Sequence, residues 1–156
     1  MDRRLLVKRP EVERVRGRRE SLYRATVDLE HALASPAADF GSWSSQVLGA
    51  AQVLEERIKA HSSESEAPGE FLSNIATEAP HLTNAAKHLQ DEHLVMGQRS
   101  AALVELVKAL AGETPSDAAE TVRGTGLELL ALIARHRQRG ADLMFLAHNE
   151  DLGSAG

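Results

Sequence analysis

Three long stretches of this chain repeat their apolar residues at steps of three and four, and little but an α-helix can satisfy that spacing. In one stretch the stripe reads Trp43, Val47, Ala51, Leu54, Ile58 and His61. In the next it reads Leu82, Ala86, Leu89, His93, Met96, Ser100, Leu103, Val107 and Leu110. The last carries Val122, Gly126, Leu129, Ile133, His136, Gly140, Leu143 and Ala147. Such steps return to one face at about 100° per residue, whereas a strand would alternate every second residue. A fourth stretch, near the N-terminus, offers two faces: Leu22, Leu29 and Leu33, or Tyr23, Val27 and Ala34.

Turn residues set the boundaries. The first helix is predicted over residues 10–34, because the residue before Pro36 is pushed out of the α region. The second starts at Asp39 or Ser42, either of which can cap free amides, and runs to His61. It is expected to dissolve over residues 62–69, with Pro68-Gly69 as the turn. A short helical piece over 70–76 follows. Pro80 suits the first turn of a third long helix over 80–111, ended by Gly112. Thr114-Pro115-Ser116-Asp117 reads as a cap, a first-turn proline and an acidic first turn, opening a helix that reaches Asn149. Short connections make neighbouring helices antiparallel. The expected fold is therefore all-α, an up-and-down four-helix bundle over residues 21–150. A basic N-terminal extension (1–20), either an arm or the start of the first helix, would precede it and a flexible tail (151–156) would follow.

Composition agrees. Aromatic residues make up only 3 % of the 156, so the core must come from Leu, Ala, Val and Ile. The absence of cysteine excludes disulfides, thiolate metal sites and cysteine nucleophiles. No apolar run approaches the roughly 20 residues of a membrane span, and no signal-peptide stretch opens the chain. A cytoplasmic protein is the expectation, with no membrane partner. Residues 1–24 hold 9 of the 18 basic and 4 of the 23 acidic residues, a net +5 on a remainder of −10. Such an arm can reach for an acidic partner, or pair with its own acidic body. Without aromatic interleaving or a DNA-reading motif, nucleic acid is a weak reading.

Seven histidines occur: His31, His61, His81, His88, His93, His136 and His148. His61, His93 and His136 replace aliphatic residues in three different stripes. In an antiparallel bundle they could meet at one depth, depending on helix stagger. Neutral imidazole is the commonest protein ligand for iron, zinc and copper. An inward histidine can equally be a hydrogen-bonded core residue. A carboxylate sharing a histidine's helix face must lie three or four residues from it. Glu64 meets that rule for His61 if the helix lasts another turn. Glu66 does not, and Glu92 adjoins His93 and points about 100° away.

The segments Asp28-Leu29-Glu30-His31, Lys59-Ala60-His61-Ser62-Ser63-Glu64, Leu89-Gln90-Asp91-Glu92-His93-Leu94 and Ala134-Arg135-His136-Arg137-Gln138-Arg139-Gly140-Ala141-Asp142 follow one another on four helices. In order and placement this layout resembles the hemerythrin-like (HHE cation-binding) family, over nearly the whole chain after Glu20. The resemblance implies an up-and-down four-helix bundle with a non-haem di-iron centre that binds oxygen or senses oxygen, iron or nitric oxide. It would put His31, His61, His93 and His136 in the ligand layer, with Glu64 as a candidate carboxylate. Where the family tends to carry acids, this chain has Ser65, Gly140 and Ala141. A reduced, mixed or single-metal site stays open, as does a bundle without metal.

Two functions follow. One is an iron- or other metal-binding bundle for oxygen or redox sensing or stress response. The other is a metal-free module that binds a protein partner or a second copy of itself. Enzymatic catalysis without a metal is the weakest reading, since no nucleophile motif or Gly-rich phosphate loop is present.

Overall fold

The computed structural model describes residues 3–112 and 115–154, with side chains from 16 to 112 and from 117 to 149. Its elements are α1 (Arg3–Ala34), α2 (Phe40–Glu66), α3 (Phe71–Glu78), a single 3₁₀ turn (Pro80–Leu82), α4 (Thr83–Leu110) and α5 (Pro115–Ser154). Four long helices form an up-and-down ring. α1 packs on α2, α2 on α4, α4 on α5, and α5 closes back on α1. The short α3 lies on the α2–α4 connection. No described residue is in a strand, and no helix among the described residues is long and apolar enough to cross a membrane.

The stripes face inward as the spacing requires. On α1 the choice between two faces is settled by Leu22, Ala25, Leu29 and Leu33, which are buried, while Tyr23 is exposed. Leu29, Leu54, Ile58, Met96, Leu103, Leu129 and Ile133 are among the fully buried large side chains. Each such burial is worth about 1.5–3 kcal/mol. The apolar interior is split in two. The larger cluster runs from Phe40 and Trp43 to Ile58, Met96 and Ile133. The smaller, under α3, holds Leu72, Ile75, Ala86, Leu89 and Leu143. Between Met96 and Leu89 on α4, and between Ile133 and Leu143 on α5, stand His93 and His136.

Several helix ends differ from the expected ones, each for a local reason. α1 begins at Arg3 rather than Pro10, so of the two readings of the basic segment the structure takes the start of the first helix. α2 does not dissolve at Ser62. Its serines turn their hydroxyls back on the helix, Ser62 Oγ donating to the Ile58 carbonyl at 2.9 Å and Ser65 Oγ to the His61 carbonyl at 2.7 Å. The hydroxyls are thus satisfied within the helix, which runs on to Glu66, two residues before Pro68. Gly69, at φ 84°, then makes the turn. At the other end Asp39 caps α2, accepting from the Ser42 amide at 3.4 Å. α3 runs two residues past the expected Ala76. Pro80 opens the 3₁₀ turn instead of α4 itself. Thr114, the expected cap of α5, lies outside the described residues. α5 continues past Asn149 to Ser154, so most of the expected loose tail is helical.

α1 and α5 are closest where Gly126 meets Leu33. A Cβ on Gly126 would stand 2.6 Å from Leu33 Cδ1 and 3.4 Å from its Cγ, and Leu33 is itself buried. Gly124, two residues away, has nothing within 4 Å of a built Cβ. Alanine at Gly124 should stabilise the protein by up to about 1 kcal/mol through helix propensity. Alanine at Gly126 should instead destabilise it by about 1–2 kcal/mol through overpacking. Urea denaturation of the two variants checks the opposite signs.

Candidate metal centre

The antiparallel ring brings the C-terminal end of α2, the first half of α4 and the second half of α5 to one level. His61, His93 and His136 come from those three places. Their Nε2 atoms converge: His93 to His136 is 3.0 Å and His61 to His136 is 3.4 Å. One ligand atom from each of the three lies within 4.8 Å of the other two. Two zinc–nitrogen bonds of about 2.0–2.1 Å at a tetrahedral angle would separate their nitrogens by about 3.3 Å. The two Nε2 spacings at His136 are close to that value and are also those of ring-to-ring hydrogen bonds. His93 and His136 are both only 4 % exposed, and His61 is partly buried.

The outer nitrogens of two rings face carboxylates. His136 Nδ1 lies 3.2 Å from Glu92 Oε1. Glu92, 7 % exposed, is held from its other oxygen by Arg139. His93 Nδ1 stands 3.4 Å from Glu66 Oε2, a longer contact. A carboxylate at Nδ1 keeps the proton on that nitrogen and leaves the Nε2 lone pair free. That arrangement applies to His136; His93 Nδ1 makes no hydrogen bond among the described residues, and the two Nε2 atoms stand within hydrogen-bonding distance at 3.0 Å.

The electrostatics keep the rings neutral, the form that binds metal. Burial, together with the charges His136, Arg19 and Arg18 would place nearby, lowers His61 to about 4. Burial first, then His136 and His61, lowers His93 to about 3. His136 is lowered as well, burial outweighing the opposing pull of Glu92.

The other residues singled out in the sequence lie elsewhere or are otherwise engaged. His31 is exposed and does not join the cluster. It follows buried Leu29 by two residues, so it points about 200° away from the inward face. It is also nine residues beyond Leu22, which lines the site, or about 13 Å along the axis. Glu64 is brought to the rim of the same cavity, where its Oε2 pairs with Arg18 at 3.3 Å. Sequence reasoning passed over Glu92 and Glu66 because it sought carboxylates sharing a helix face with a histidine. Each instead serves a ring on the next helix, Glu92 from α4 to α5 and Glu66 from α2 to α4. Nothing local in the sequence signals such a cross-helix pairing.

No protein-family model, curated protein or solved structure matches this chain. The protein is defined by its own geometry. It is an all-α four-helix bundle with three close histidines that could hold a metal ion.

Proposed function

We propose that the chain is a metal-binding bundle of hemerythrin-like layout, its ligand set reduced to His61, His93 and His136 around a single ion. The observation that carries this reading is the convergence of three Nε2 atoms from three helices, with Glu92 and Glu66 behind two of the rings. Pairs of iron ions in helical bundles rely on carboxylates that bridge and neutralise them. Here Glu92 and Glu66 face the outer nitrogens and Glu64 is taken by Arg18, so the donor set suits one ion rather than two. Three imidazoles suit zinc, iron or copper. Iron is the ion that the resemblance implies. Three protein ligands leave coordination positions open, as catalytic and ligand-binding sites do and closed structural sites do not. Those positions face a cavity of 450 Å³ lined also by Arg19, Phe71 and Met144. A single iron so placed could bind oxygen or report redox state.

The test is metal uptake by chelator-stripped protein. About one equivalent of zinc or iron(II) per chain is expected, with a rise in melting temperature on loading, since an ion that binds only the folded state stabilises it. Uptake below about a tenth of an equivalent would rule the reading out. Glu92→Gln keeps the shape but withdraws the charge behind His136. It should weaken metal binding about 10–100-fold, measured by competition with a chromophoric chelator.

A further inference from the structure

The open side of the three histidines faces a cavity whose lining is neither neutral nor wholly polar. Building on the metal reading above, we propose that this cavity takes a small monocarboxylate with an apolar body. Its carboxylate completes the coordination of the ion beside Arg19, and its hydrocarbon lies against Phe71, Leu72 and Leu89.

Charge makes the first part of the case. Among the described residues three arginines line the cavity, Arg18, Arg19 and Arg137, against two glutamates, Glu64 and Glu70. Both glutamates pair with Arg18, at 3.3 and 3.7 Å. Arg19 lies against Met144 Sδ, and Arg137 stacks 4.6 Å from the Tyr23 ring centre. Neither has an ion-pair partner among the described residues, so the described lining holds cationic charge that no described carboxylate answers. The three ligand groups are neutral imidazoles and contribute no negative charge toward a divalent ion. An exogenous anion would answer both.

Shape and polarity make the second part. Leu22, Phe71, Leu72, Leu89 and Met144 line the same space. At 450 Å³ it falls within the range of small-molecule sites, about 300–1,000 Å³. A diatomic gas would leave most of that volume unfilled and the arginines unanswered. An inorganic oxyanion would leave the apolar wall unused. A carboxylate on a short hydrocarbon uses both halves. Gly140 and Ala141 are also in the lining, and the absence of larger side chains there keeps that wall open.

Cobalt(II) in place of the native ion gives a visible spectrum that responds to a fourth ligand. The cobalt-loaded full chain is titrated with hexanoate, acetate and hexanamide. Hexanoate should shift the visible bands and bind at least about ten-fold tighter than acetate, from its four additional methylenes. Hexanamide should produce no shift over the same range. Arg19→Gln should weaken hexanoate about ten-fold, as expected for loss of a charge-assisted contact, while cobalt uptake serves as the folding control. Arg137→Gln provides a second variant should Arg19→Gln fail to fold. Equal affinity for hexanoate and hexanamide would overturn the proposal, as would wild-type affinity in both folded variants. Cobalt uptake without any response to hexanoate overturns the ligand and leaves the metal site standing. Failure to take up cobalt overturns both.

Discussion

Alanine in place of His136 should cost more than any other single change, removing at least about 100-fold in metal affinity, beyond the range of a supporting residue. His136 is the hub of the cluster. Its Nε2 stands 3.0 Å from that of His93 and 3.4 Å from that of His61, and its Nδ1 engages Glu92. Losing it removes one ligand and, in the same step, the ring that organises the other two. The metal-free fold should suffer too. Removing a buried imidazole leaves a void, and among the described residues Glu92 keeps only Arg139 as partner in a nearly dry position. A loss of about 2–4 kcal/mol is expected. Urea denaturation with chelator present measures that loss, and chelator competition measures affinity. His31→Ala is the contrasting variant. On an exposed face away from the cluster, it should change stability by less than about 0.5 kcal/mol and leave metal affinity unaltered. Tight metal binding by the His136 variant would show that the ion sits elsewhere.

Acid should destabilise the metal-free protein well before ordinary carboxylates titrate. His61 is held at about 4 and His93 at about 3, against about 6.5 in an unfolded chain. Folded values below unfolded ones mean that the unfolded chain binds more protons as pH falls. Stability is therefore whole above about pH 6.5 and drains away as the pH approaches the folded values. Each histidine removes about 1.4 kcal/mol per pH unit within that window. Going from pH 7.5 to pH 5 should thus cost about 4 kcal/mol from the two together. His136 shifts in the same direction and adds to the trend. Urea midpoints at the two pH values provide the measurement. Leucine at both His61 and His93 should flatten the dependence, because no buried imidazole then remains to protonate at those positions. An equal midpoint at both pH values in the parent chain would mean that the rings are not buried in neutral form.

Much of this architecture was legible before any coordinates. Steps of three and four put Val47, Leu54 and Ile58 on one face of α2, and Leu89, Met96 and Leu103 on one face of α4. The same arithmetic turned His61, His93 and His136 inward. The errors came where local signals competed. The serines after His61 read as a loop, yet their hydroxyls can bond back to helix carbonyls, and there they do. Pro10 read as a start, yet the helix continues on both sides of it. The resemblance placed His31 in the ligand layer, but burial of Leu22, Ala25, Leu29 and Leu33 turns that ring toward solvent.

The order of residues by itself determined that four amphipathic helices would form and which stripe of each would be hidden, because helical periodicity is a local property of the chain. It also determined that three imidazoles would enter the interior without a carboxylate on their own faces. Only the tertiary structure decided that the three stand at one level, since stagger between helices depends on how side chains interlock along their whole length. It alone put Glu92 behind His136 and Glu66 near His93. Those contacts join residues 44 and 27 positions apart on neighbouring helices, and no spacing rule within a single helix reaches across such a gap.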